Sequence, residues 1–216
     1  MPRAAPAIRP ARHGDVDTIV AIKHALRLAQ NPAGGGFLLG ASPATYHQLI
    51  DAAIVRVVEF ADQVVGFTTA LPDPILRQSE VWLRRQEIDW QGFDPAPIEQ
   101  EPIAYFDQLA VVPGLGARMA GLVLALRTVD ELFRTHKHFM TTTVLAPVKN
   151  QAAWPLLALL GAKQVGSLRE HYPEVGEIVS AIFYASRSTY RRNLDRMWFQ
   201  ASAARRRLLV TALGPR

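Results

Sequence analysis

The chain has 216 residues, 49% of them hydrophobic, which suits one substantial domain with a real core and excludes a disordered chain. It has no cysteine, which excludes disulfide frameworks, thiolate zinc sites and a cysteine nucleophile. The net charge of +5 is uneven: residues 185–216 hold eight arginines against one acid, Asp195, so that segment is +7 and the remainder −2. Nucleic-acid binding by the main body is therefore not expected.

In chain order, "MPRAAPAIRP" lacks a continuous apolar stretch, and no run approaches the roughly 18 apolar residues of a membrane span. A cytoplasmic protein is the expectation. Ala7–Pro10 reads as a short strand. A helix follows from Gly14 or Asp15, with Val16, Ile19, Val20 and Lys23 at helical spacing. Residues 31–43 form a glycine-rich loop, and "PATYHQLIDAA" a short helix. Two β-branched runs flank "ADQ" and predict a hairpin, Ile54–Phe60 with Val64–Leu71. Gly66 inside the second run predicts a bulge or a close backbone approach.

Residues 72–102 interrupt the pattern with some helix and a proline-containing loop, an insertion suited to covering a cleft or making a subunit contact. "IAYFDQLAVV" is a strong strand ended by Pro113, and "MAGLVLALRTVDELFRTHK" a long helix. "FMTTTVLA" is the next strand, and "NQAAWPLLALLGAK" a helix stopped by Gly161. "KQVGS" and "EIVSAIFYAS" supply two more strands. This order predicts an α/β fold: a mixed, twisted sheet of six to seven strands with helices on both faces. From about Ser188 a basic amphipathic helix follows, so the chain divides at 1–186 and 187–216. That helix suits packing or a subunit contact, compatible with a homodimer, better than a membrane or nucleic-acid arm.

Two local motifs carry chemistry. In "AVVPGLGARMAG" a strand ends at Pro113, and small residues lead into the long helix. A helix starting near Arg118 leaves its first N–H groups unpaired, and these with the helix dipole favour an anion such as a pyrophosphate. Gly114, Gly116, Ala117, Ala120 and Gly121 allow close approach, Arg118 can add a charged contact, and Met119 must point away. A plain strand-to-helix turn is the competing reading. Downstream, Asn150, Ala153 and Gly161 form N-x-x-A with a glycine eleven residues after the asparagine; Asn150 can also be read simply as an N-cap.

Element order and motifs together resemble the GNAT superfamily of acyl-CoA-dependent N-acyltransferases, over about residues 7–186. The family's V-x-P-x-x-[R/Q]-G-x-G-x-[G/A] is met at Val111, Pro113, Ala120 and Gly121, and departed from at Gly116, Ala117 and Met119. Leu157 stands where the family often has a proton-donating tyrosine. The resemblance implies acetyl-CoA as co-substrate and direct attack by a primary amine of a small molecule or peptide in a ternary complex. It implies that Leu109, Ala110 and Val111 pair with the pantetheine arm, that residues 116–121 hold the phosphates, and that Asn150 bonds the cofactor.

Alternation along "AYFDQLAVV" places Tyr105, Asp107, Leu109 and Val111 on one face and Phe106, Gln108 and Ala110 on the other. Asp107 is the first candidate base and Glu101 the second. "REHYPEVGE", between the last two strands, offers Tyr172 as the acid, with His171 and Glu170 beside it. His136 and His138 have no nearby carboxylate in sequence, so no metal is expected. The rivals to an acetyltransferase are a GNAT-fold module that binds CoA or a ligand without acyl transfer, and a binding protein acting through its basic tail.

Overall fold

The computed structural model describes residues 6–28, 35–114, 116–173 and 175–214, with Arg118 described by its backbone alone. Residues 31–34 of the glycine-rich loop lie outside the described residues.

β1 (Ala7–Pro10) leads through a 3₁₀ turn into α1 (Val16–Ala25). α2 (Pro43–Ala52) starts at Ser42, whose Oγ accepts from the Thr45 N–H at 3.2 Å. β2 (Ile54–Phe60) and β3 (Gln63–Leu71) form the hairpin that the β-branched runs predict. At Gly66 both sequence expectations are met. The register slips between Val58 and Glu59 opposite it, and a Cβ there would stand 2.7 Å from Ala110 O and 2.9 Å from Val111 Cγ2. Gly66→Ala is therefore expected to destabilise the protein by about 1–3 kcal/mol, read as a lower urea midpoint. An unchanged midpoint would mean that the strands shift freely.

The insertion folds as three one-turn helices, α3 (Asp73–Leu76), α4 (Glu80–Leu83) and α5 (Ala96–Glu99), around a two-residue strand, β4 (Asp89–Trp90). Then come β5 (Ile103–Val111), α6 (Ala117–Thr135), β6 (His138–Ala146), α7 (Ala153–Leu160), β7 (Lys163–Tyr172) and β8 (Gly176–Ser186). The sheet order is β1-β2-β3-β5-β6-β8-β7-β4. Among the described residues, β5–β6 is parallel and the other pairings are antiparallel. The eight strands exceed the expected six to seven because β4 adds itself to β7 from inside the insertion. Two residues are too few to leave a periodic signal.

Helices cover both faces. α1 and α2 bury Val16, Ile19, Ile22 and Tyr46 on Val55, Val57, Phe67 and Ala110, and the insertion extends that layer over Leu71, Ile103 and Tyr105. On the other face α6 and α7 press Leu126, Val129, Leu132, Leu157 and Leu160 onto Phe106, Phe139 and Phe183. The C-terminal segment is two helices rather than one, α8 (Arg187–Gln200) and α9 (Ala203–Leu213). The break comes at Ser202, whose side chain accepts from the Arg205 N–H and starts the second helix. Tyr190, Leu194, Leu209 and Ala212 from these helices join the core, and α9 lies along α6. Arg191, Arg192, Arg196, Arg205, Arg206 and Arg207 are exposed, whereas Arg187 is partly buried and donates to His136 O at 2.7 Å. Among the described residues, no helix is long and apolar enough to cross a membrane.

Candidate active site

The site forms where β5 changes partners. Ile103–Phe106 pair in parallel with His138–Thr141, and above that rung the two strands part. At the same level β5 carries one residue too many for β3: Thr69 faces Gln108, Ala70 faces Phe106, and Asp107 is the extra residue of a β-bulge. The bulge overturns the strict alternation expected along this strand. Phe106, Leu109 and Val111 pack toward α6, whereas Tyr105 and Ala110 pack on the opposite face. Asp107 keeps Tyr105 as its neighbour but is separated from Leu109 and Val111. Thr69 Oγ1 donates to its Oδ2 at 2.8 Å.

A set of phenols surrounds this carboxylate. Tyr46 Oη donates to Gln108 Oε1 at 2.8 Å in the buried layer, and Tyr105 Oη lies 2.7 Å from Thr142 Oγ1, just past the last paired rung of β6. Asp107 keeps some accessible surface but sits deep, and this desolvation pushes its carboxyl above the ordinary range; the Thr69 hydrogen bond opposes the shift only in part. Burial first, and the Asp107 charge second, push Tyr46 and Tyr105 up as well. Tyr172 is pushed up to about 12 by burial, then by Glu170 and Asp107. It therefore keeps its proton throughout the neutral range.

Tyr172 lies at the end of a strand, not in a connection. β7 runs on through "REHY", which the sequence pattern places between the last two strands, and Tyr172 pairs with Gly176. It packs against the buried cluster of Phe37, Val144 and Ile178. His171 is exposed, 2.8 Å from Glu177, and Glu170 is 3.5 Å from Arg84. Glu101 sits at the far end of β5, held by Lys137 Nζ at 2.9 Å and His138 Nε2 at 2.8 Å. Those two contacts keep its carboxyl below the usual value, and its position removes it from the parting strands.

Several atoms near the parting strands suit a bound arm and an anion. The Val112 N–H donates to Val65 O, so strand parity turns the N–H and C=O groups of Leu109 and Val111 away from β3, toward the opening. By the same parity the Ala110 backbone faces β3. α6 starts at Ala117 behind Gly116, with no capping side chain. Gly116 has φ +95°, a conformation that the arginine or glutamine of the family pattern would adopt only under strain. Met119 points outward, 46% exposed, and Ala120 is buried against Val58 and Leu124. A Cβ on Gly121 would meet Val111 Cγ2 at 3.4 Å, so helix and strand lie close. The Arg118 side chain, expected to add a charged contact, lies outside the described residues.

Asn150 is not the N-cap of α7; Ala152 is, without a side-chain bond. Asn150 Nδ2 donates to Phe37 O at 3.0 Å, and its Oδ1 is buried with no partner. A buried orphan acceptor needs a donor, and a ligand amide would satisfy it. Leu157 is fully packed in the core, so α7 offers no proton there. Sequence reasoning missed Tyr46, Thr69 and Thr142, because only the tertiary fold brings them to Asp107 and Tyr105.

In comparisons with known proteins, no protein-family model matches the chain, and no curated protein matches it significantly. Solved structures do. The ribosomal-protein-S18-alanine N-acetyltransferase of Escherichia coli superposes with a TM-score of 0.58 at 14% identity, over 84% of this chain and 94% of that one. NAA60 of Arabidopsis thaliana, solved with acetyl-CoA, gives 0.57 at 13% identity, over 84% and 99%. A GCN5-related N-acetyltransferase of Kribbella flavida gives 0.54 at 16% identity, over 84% and 98%. The chain thus has the fold of the GCN5-related N-acetyltransferases, as its sequence motifs imply.

Proposed function

We propose that this protein is an acetyl-CoA-dependent N-acetyltransferase acting on a primary amine of a small molecule or peptide. One observation carries the reading: a deep carboxylate with a raised pKa stands on a bulge at the level where β5 and β6 part. Acetyl-CoA, when bound, supplies the acetyl thioester. The free edge of Leu109 and Val111 holds its arm, residues 116–121 at the start of α6 receive its phosphates, and Asn150 Oδ1 accepts from it. Asp107 takes the proton of the incoming ammonium. Its raised pKa makes it a stronger base than an exposed carboxylate. Tyr172 Oη, protonated at neutral pH, gives a proton to the departing sulfur.

Acetyl-CoA at about 100 times its Kd is expected to raise Tm by roughly 5–10 °C, and thiol release is expected with primary amines. Gly116, in place of the arginine or glutamine of the family pattern, and the packed Leu157 favour a second reading, a CoA-binding module without turnover. Stabilisation with no thiol release from any amine would select it. With neither effect, both readings fail.

A further inference from the structure

We propose that the recess beneath the 72–102 insertion receives the acceptor, and that it selects primary amines carrying a compact apolar group the size of a leucine or phenylalanine side chain. This rests on the acetyltransferase reading above. The recess is walled by Leu76, Trp82, Trp90, Ile98, Met140 and Ile182, and is open to solvent. Its cavity volume is about 40 Å³, room for roughly three waters at about 10–15 Å³ each. That space suits a short branched or phenyl group and is too small for a long, bulky one.

Position ties the recess to the chemistry. Tyr105 and Thr142 line it, and these residues meet where β5 and β6 part. Asp107 is two residues beyond Tyr105, close enough for its charge to raise the Tyr105 phenol. An apolar group seated in the recess therefore brings an attached amine toward the carboxylate.

Chemistry sets the selectivity. The two ionic groups of the lining, Arg85 and Glu99, stand 3.4 Å apart and compensate each other. Arg85 also lies 4.6 Å from the centroid of the Trp82 ring, which Arg77 approaches to 4.7 Å. Both cations are thus engaged in holding the Trp82 wall. A charged substituent entering the recess loses water and meets no uncompensated partner, while an apolar one gains by leaving water. The insertion is also anchored, since β4 pairs Asp89 with Ser167 and Trp90 with Gly166.

The test compares glycinamide, leucinamide and phenylalaninamide at fixed acetyl-CoA, with thiol release as one readout and quenching of tryptophan fluorescence as the other. The two larger amides are expected to exceed glycinamide by about 10- to 100-fold in kcat/KM. Val81 lines the mouth of the recess, 36% exposed. Val81→Trp fills the mouth and Val81→Glu charges it. Each is expected to bring the three amides close to equal, with the acetyl-CoA shift in Tm unchanged. Equal turnover in the wild type, or a preference that survives both variants, overturns the pocket and leaves the transferase reading standing. Quenching by the larger amides that both variants abolish, without thiol release, upholds the pocket and overturns the transferase. If no amide binds or reacts, both are overturned.

Discussion

Asp107→Asn is expected to lower kcat by about 10²- to 10⁴-fold, the usual worth of a positioned base, while raising Tm at neutral pH. The two effects share one cause. Burial lifts the Asp107 carboxyl above its value in the unfolded chain. Between those two values the folded state binds more protons than the unfolded state, so stability falls as pH rises. Above the folded value the penalty is fully in place. Asparagine removes the charge and still offers Thr69 Oγ1 an acceptor. The gain in Tm should therefore be present at pH 7 and vanish in acid, below the unfolded carboxylate value near 4. The acid limb of kcat/KM should lie above the ordinary carboxylate range in the wild type and be missing in the variant. Unchanged turnover would remove Asp107 from the role of base. A Tm that drops equally at both pH values would mean that the carboxylate is structural.

Phe139→Ala is expected to destabilise the protein by about 3–5 kcal/mol, measured by urea unfolding. Phe139 is fully buried on β6, paired with Ala104 in the last stretch that β5 and β6 share. Its ring meets Phe106 and Phe133 at 6.1 and 6.2 Å between centroids, both edge-on. Truncation leaves a void between sheet and α6, directly beneath the level where the strands separate. Acetyl-CoA affinity should weaken with stability, because the rung that fixes the opening is no longer braced. A loss below about 1 kcal/mol would mean that α6 collapses into the space.

Most of the architecture was legible because the local signals agreed. The β-branched runs of β2, β3 and β6 were continuous, Gly161 closed α7, and Gly66 announced a close approach later found against Ala110 O. The bulge at Asp107 was not legible. "AYFDQLAVV" alternates without a flaw, and the surplus residue exists only relative to β3. Asp107 was still picked out, by residue type and place, but its partners Thr69 and Tyr46 come from strands and helices 38 and 61 residues earlier, beyond any local pattern. β4 was too short to see. The split between α8 and α9 did carry a signal, since Ser202 followed by alanine and arginine is an ordinary helix start, hidden within a longer basic pattern. In sequence, Gly116 is a departure from the family motif. In the fold it is the left-handed residue on which the start of α6 turns.

The way α9 lies along α6 also bears on order of synthesis. α6 leaves the ribosome roughly seventy residues before α9, yet Leu209 and Ala212 belong to the same buried cluster as Leu126 and Val129. Throughout that interval one side of α6 has only water or a chaperone to meet. Cooperative folding of this face is therefore expected to wait for residues 203–213, which carry the consecutive Arg205, Arg206 and Arg207 ahead of the apolar residues that dock.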